Sequence, residues 1–321
     1  MAQRFPADEQ SGGARPSVRS GVSRERASSV QAAAVDVITS RDNKWLKMFR
    51  AALRGTGPAS GEPIGVEGPK LVVEGIRSGL EAEALLVTDA SEGELERILQ
   101  AASHSEAGIP RSRVLRTTEK LFASIAGTET PQGVAALFRQ REWGFDDVLR
   151  GRANREGAFR GDASLIIVMA AVQDPGNAGT IVRSAEAFGA TGVVATRGSA
   201  DPWSPKALRA SAGSALRLPL LRGSAIPILL AQLRTAGVKV IAASSRPAAA
   251  KTARGAQNKD PDLREPCAIF IGNESAGLPE EIERAADAWI TVAINPDVES
   301  LNAGVAASVI LFEAARQRRG I

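Results

Sequence analysis

At 321 residues and 33.5 kDa, with 44% hydrophobic and 24% charged residues, the chain is long enough for two domains with a real core and too ordinary in composition for wholesale disorder, a mini-protein or a fibre. One cysteine, Cys267, and one histidine, His104, exclude a disulfide framework and a Cys/His metal site, and no Ser-His or Cys-His nucleophile system is expected. The net charge of +4 is a mild bias toward polyanions, and 32 of the 40 basic residues are Arg, the type suited to bidentate phosphate recognition.

Residues 1–33 are rich in Ser, Gly, Gln and Arg without an apolar period, and read as a flexible tail with no signal-peptide core. From Val35 the text changes. Ser40 stands where an N-cap belongs, ahead of a helical stripe of Trp45, Leu46, Met48, Phe49 and Leu53. A β-like PIGVEG follows, then KLVVEGIRSGL (helix), ALLVTD (strand), ELERILQAAS (helix), EKLFASIAG (helix) and QGVAALFR (strand), a small α/β domain over 34–140. Residues 141–163 lose the periodicity, gather charge and Gly, and read as a linker. Over 164–321, SLIIVMAAV, GVVAT, VKVIAAS, PCAIFIG and WITVAI are short Val/Ile-rich runs separated mostly by segments of helical period, which predicts a parallel sheet covered on both faces. A long helix, LNAGVAASVILFEAARQRR, closes the chain. The longest apolar run, 165–172, falls far short of the roughly 18 residues that span a bilayer, so no membrane association and a cytoplasmic location are expected.

Three segments carry chemistry. QDPGNAGTIVRSAEAFGA follows directly on the strand at 165–172, and a strand, a Gly-containing turn and a helix start present free N–H groups to an anion or polar ligand. Its glycines, Gly176, Gly179 and Gly189, fit neither the dinucleotide fingerprint nor a Walker loop. That leaves Asn177 and Arg183, about a turn into the helix. In IFIGNESAGLPEEI a strand ends in Gly272, where the backbone admits a ligand closely, and Glu274 sits where open α/β sheets bind ligands. In NPDVESLNAGVAASVILFE, Ser300 is the expected cap of the last helix, with Asn302 in its first turn.

Asn177 to Arg183, IGNESAGLP and ESLNAGVAASVILFE, in this order and each at a strand-to-helix junction, resemble the three motifs of the SpoU/TrmH family of RNA 2′-O-methyltransferases. The resemblance covers residues 164–321, and the preceding domain looks like the small RNA-binding domain, related to the L30e and L7Ae ribosomal proteins, that many members carry. It implies a SPOUT fold: a parallel sheet with a deep trefoil knot, S-adenosylmethionine bound in the knot, and a homodimer whose interface completes the site. Carried onto this chain, the cofactor loops fall at Gly272, Val292 and Leu301, and the catalytic set is Asn177, Arg183, Glu274, Ser300 and Asn302. No metal is implied. Two segments depart from the family pattern, 292–294 and, where the family usually reads S-L-N-V-S-V, Ser300-Leu301-Asn302-Ala303-Gly304-Val305. Val292-Ala293-Ile294 replaces the usual I-P-M, and Gly304 enters the last helix at a propensity cost of about 1 kcal/mol relative to Ala.

The implied reaction is S-adenosylmethionine-dependent methylation of structured RNA, with ribosomal RNA the expected substrate and transfer RNA its competitor. A non-catalytic RNA-binding or assembly factor is the rival of another class. The resemblance implies Arg183 as the base, but a guanidinium is ordinarily protonated, and the alternative is that Arg183 clamps the phosphate next to the target ribose and stabilises the developing alkoxide, with Glu274, or a water it orients, taking the proton. On the first helix Arg41, Lys44, Lys47 and Arg50 are a candidate RNA face, and with 4% aromatics, shape and phosphate contacts are expected to dominate recognition.

Overall fold

The apolar runs of the first half assemble into a mixed five-stranded sheet and those of the second half into a six-stranded parallel one. The computed structural model describes residues 35–103, 113–151, 163–244 and 261–320. The tail at 1–33 and His104 lie outside the described residues.

The first sheet runs β1 (Val35–Ile38), β4 (Arg113–Thr117), β3 (Ala82–Thr88), β5 (Val134–Phe138), β2 (Ile64–Glu67) in space. β1, β4 and β3 are parallel, whereas β5 and β2 pair antiparallel. Period-2 alternation along β3 sends Ala84 and Leu86 to one face and Leu85 and Val87 to the other. The first face packs on α1 (Lys44–Arg54) and α4 (Glu119–Ala123) through Leu46, Phe49, Leu53 and Phe122. The second packs on α2 (Pro69–Arg77) and α3 (Glu92–Ser103) through Val72, Ile76, Leu95 and Ile98.

The parallel sheet runs β11 (Ala288–Ile290), β9 (Lys239–Ala243), β10 (Cys267–Ile271), β6 (Leu165–Met169), β7 (Gly192–Thr196), β8 (Leu220–Ser224). Its central strands are buried on both faces, which is why they read as unbroken apolar runs. One face lies under α6 (Pro175–Ala187), α7 (Pro205–Ala210) and α10 (Ala303–Arg319). The other lies under α5 (Phe145–Arg150), α8 (Ile226–Thr235) and α9 (Glu280–Ala285), with Val148, Leu229, Leu233 and Ile282 buried on it. None of the described helices is long and apolar enough to cross a membrane.

Two arginines hold the halves together. Arg217 grips both carboxylate oxygens of Glu186 at 2.8 and 2.9 Å and also pairs with Glu74. Arg222 on β8 lies over Trp203, pairs with Asp201, and reaches the Pro58 carbonyl and Gln140 Oε1. The hydrophobic core is continuous across this junction, from Ile76 and Phe138 to Trp203 and Leu216.

Several expectations need correcting. Asn43, not Ser40, caps α1, accepting from Trp45 N at 2.8 Å, because Ser40 lies one turn too early and instead accepts from Asp42 N. Strands β1, β4 and β8 were not legible in the pattern. The expected linker holds a packed helix, α5, whose Val148 is fully buried and sits where a side chain at Gly192 would be; residues 152–162 of that linker lie outside the described residues.

Candidate active site

The three motif segments meet at the C-terminal edge of the parallel sheet, where β6 and β10 are neighbours. β6 leads through Asp174, which caps α6 by accepting from Asn177 N at 2.9 Å, and the side chain of Asn177 lies on the first turn. Lys206 and the Asn177 N–H hold the Asp174 carboxyl below the usual carboxylate range. β10 leads into a tight loop in which Asn273 and Gly277 exchange both backbone hydrogen bonds, at 2.9 and 3.0 Å. Asn273 Oδ1 accepts from Ser275 N and Ala276 N, and its Nδ2 donates to the carbonyl of Ala171, a residue at φ 59°. A Cβ on Gly272 would meet the Gly277 carbonyl at 2.6 Å, so only glycine fits there. The loop carries Glu274, exposed, at its turn.

Three side chains then form a chain of hydrogen bonds. Asn302 Nδ2 donates to Asn177 Oδ1 at 2.8 Å, and Asn177 Nδ2 donates to Glu274 Oε1. Asn302, not Ser300, is the N-cap of α10: its Oδ1 accepts from Gly304 N and Val305 N at 3.0 and 3.3 Å. Ser300 lies two residues before the cap and forms no hydrogen bond among the described residues. It lines the neighbouring cleft instead.

Arg183 is not part of this cluster. Six residues along a helix are about 9 Å of rise and about 120° of rotation, which turns Arg183 away from Asn177. It is exposed and makes no hydrogen bond or ion pair among the described residues.

Helices α6 and α10 lie side by side with matching rungs. A Cβ on Gly304 would come within 3.0 Å of Thr180, Ser184 Oγ and Ser308 Oγ are 2.7 Å apart, and the rings of Phe188 and Phe312 meet edge to face at 5.9 Å. Gly304 therefore has a packing role that propensity alone hid. Val305, Val309 and Phe312 form an exposed apolar stripe along α10.

Beside the hydrogen-bonded chain lies a cleft of about 810 Å³ lined by Gly272, Val292 and Leu301, with Ile294 and Ile310 as further apolar wall and Glu299 and Ser300 as polar groups. That size and mixture suit a nucleoside-sized ligand. Trp289, also on the lining, holds a buried indole N–H without a partner among the described residues. Sequence reasoning missed Asp174, Asn273 and Trp289, whose roles depend on caps and loop closure rather than on a spacing. Among the described residues no three His, Cys, Asp or Glu side chains are grouped to hold a metal ion.

Residues 164–312 match the SpoU rRNA Methylase family, and residues 63–136 match an MRM3-like substrate binding domain. The chain is 30% identical over 247 residues, 77% of its length and 86% of the relative's, to the Bacillus subtilis 23S rRNA (guanosine(2553)-2'-O)-methyltransferase RlmP. It is 35% identical over 199 residues to a Synechocystis protein named as an uncharacterized tRNA/rRNA methyltransferase, covering 62% of this chain and 66% of that one. Its fold is similar to that of an AdoMet-bound rRNA methyltransferase from Sinorhizobium meliloti, at 28% identity and a TM-score of 0.66, over 88% of this chain and 98% of that one.

Proposed function

Because the chain belongs to the SpoU family of RNA methyltransferases, we propose that it transfers the methyl group of S-adenosylmethionine to a ribose 2′-hydroxyl in structured ribosomal RNA. The observation that carries this reading is the Asn302–Asn177–Glu274 chain of hydrogen bonds beside a nucleoside-sized cleft at the sheet's C-terminal edge. Ribosomal RNA is favoured over transfer RNA because the Bacillus relative is named for a 23S rRNA ribose. A 2′-hydroxyl target makes the substrate RNA.

The cleft suits the cofactor in its chemistry. The Gly272 backbone and the side chains of Val292 and Leu301 would hold the adenine and ribose, and the Trp289 N–H, without a partner among the described residues, is a donor on the same wall. Bound there, S-adenosylmethionine supplies a methyl group made electrophilic by its sulfonium. The chain's own residues orient the acceptor and remove its proton. Glu274, with Oε1 anchored by the Asn177 amide, accepts the proton that the 2′-hydroxyl loses, directly or through a water. Arg183 stabilises negative charge on the acceptor or its phosphate.

Within one chain Arg183 stands apart from Glu274, and a second copy resolves this. We infer a homodimer docked on the exposed Val305, Val309 and Phe312 stripe, which would bring Arg183 of one protomer to the site of its partner. The first sheet and its helices form the substrate-binding part, with Lys44, Lys47 and Arg50 offering charge to RNA from α1. A cytoplasmic location is part of this reading, supported by the bacterial ribosomal RNA methyltransferase among its relatives.

The test is incubation with methyl-labelled S-adenosylmethionine and, separately, ribosomal and transfer RNA, followed by digestion to nucleosides. A labelled 2′-O-methylnucleoside from the ribosomal pool is expected. Label confined to transfer RNA would change the substrate, and label on a base would end the ribose reading.

A further inference from the structure

A second cleft, of about 800 Å³, opens between the two halves of the molecule. Residues 53–57 at the end of α1 and 126–129 after α4 form one side, and the β6–α6 turn with the start of α7 forms the other. Three cations line it: Arg54 from the first half, Lys206 and Arg209 from the second.

Their partners decide what the cleft can hold. Arg54 Nε donates to the Ala126 carbonyl at 2.9 Å, which fixes the side chain while its two terminal nitrogens have no partner among the described residues. Arg209 is exposed and has no hydrogen bond or ion pair among the described residues. Lys206 pairs with Asp174 at 2.7 Å. Of the lining carboxylates, Asp201 is already taken by Arg222, which leaves only Glu129 against two open guanidinium forks. Such forks match phosphate oxygens bidentately. The lining contains no aromatic ring, so bases have nothing to stack on and the recognised group is backbone.

The cleft also adjoins the reaction centre. Asp174 receives Lys206 on Oδ2 and Asn177 N on Oδ1, so one carboxylate joins the cleft wall to the first turn of α6. Arg222, braced on Asp201 beneath the wall and on Pro58 and Gln140 of the first half, holds the two sides at a fixed spacing.

We propose that this cleft binds the phosphodiester backbone of the RNA strand flanking the target ribose, with Arg54 and Arg209 as phosphate ligands contributed by the two halves. This rests on the RNA methyltransferase reading and adds the path of the strand, a frame that measures the distance from a bound phosphate to the methylated sugar.

The test uses the full-length chain and protein-free bacterial ribosomal RNA, with affinity measured across a salt series and S-adenosylhomocysteine affinity measured by calorimetry. Arg209→Gln is expected to weaken RNA binding about tenfold and to take about one unit off the slope of log affinity against log salt, as loss of one phosphate contact should. Arg54→Gln is expected to act likewise, and Arg97→Gln on the distant α3 to change neither quantity. S-adenosylhomocysteine affinity is expected to stay at the wild-type value throughout, which shows each variant folded. Wild-type RNA affinity and slope in both cleft variants would overturn the cleft while leaving the RNA reading in place. A wild-type chain that binds S-adenosylhomocysteine but neither ribosomal nor transfer RNA would overturn both.

Discussion

Asn302 is bonded to Asn177 at 2.8 Å through its amide nitrogen because its amide oxygen is already committed to the end of α10. The cap demands an acceptor, so the Asn302 Nδ2 must face outward, Asn177 must answer with its oxygen, and the Asn177 nitrogen is left pointing at Glu274. A helix end thus dictates the orientation of two side chains and, through them, of a carboxylate.

The two duties of Asn302 separate on substitution. Asn302→Asp keeps a capping oxygen but loses the donor, so an unchanged melting temperature is expected with kcat lowered about 100-fold, within the range for a mispositioned proton acceptor. Asn302→Ala loses both, and about 1 kcal/mol of stability with them. Equal activity in Asn302→Asp and wild type would dissociate the cap from the chemistry.

Arg183→Ala is expected to abolish turnover while leaving S-adenosylhomocysteine affinity intact, because the side chain lies away from Gly272, Val292 and Leu301. Phe312→Glu, on the exposed stripe, is expected to give monomers by sedimentation and the same loss of turnover. An equimolar mixture of Arg183→Ala with Glu274→Gln is expected to regain activity through mixed dimers, since one of its two sites keeps both residues. Failure of that rescue would confine the chemistry to one chain.

Gly272→Ala places a methyl 2.6 Å from the Gly277 backbone, and that backbone is pinned by two hydrogen bonds to Asn273. The loop must shift, so cofactor affinity measured by calorimetry is expected to fall about tenfold, in line with a lost close contact. Retained affinity would place the cofactor elsewhere.

Removing Arg217 takes its guanidinium away from Glu186 and Glu74 at the junction of the halves. Arg217→Ala is expected to destabilise the fold by about 2 kcal/mol, read from denaturant unfolding, because two partly buried carboxylates lose the charged donors they share, while Glu74 keeps Arg77. Arg217→Lys is expected to recover only part, having lost the fork.

Asp174 gives the acid limb. Its carboxyl is held below its ordinary value of 3.8 in the folded chain, chiefly by Lys206, so it stabilises the fold above that value and ceases to as the pH falls through its folded value. Asp174→Asn retains a capping oxygen and is expected to flatten the fall of melting temperature with acid, measured by circular dichroism.

The central strands were legible because burial on both faces writes itself as continuous Val and Ile. β4 was not, since Arg113 and Arg116 interrupt its apolar run, and β8 was not, since Leu-Leu-Arg-Gly-Ser at a sheet edge spends its Arg222 on the junction rather than on a core. At the site, residue types in order singled out Asn177, Glu274 and Asn302, whose side chains the fold brings together. The assignment of the cap to Ser300 failed because the helix begins two residues later than its first capping-type residue. The separation of Arg183 from Glu274 needed the helix rotation, not the motif.

Gly304 finally bears on how activity in this scaffold is tuned. Where α10 crosses α6 it sets how near the two axes come, and the same two helices carry Asn302 and Asn177 at their starts. A methyl added at 304, or a bulkier residue at 180, would open that spacing by a few tenths of an ångström and stretch a hydrogen bond one turn away. Turnover is therefore adjustable from a position no substrate touches, and a screen for altered rate should recover substitutions along the 180/304 and 184/308 rungs before it finds any in the cleft itself.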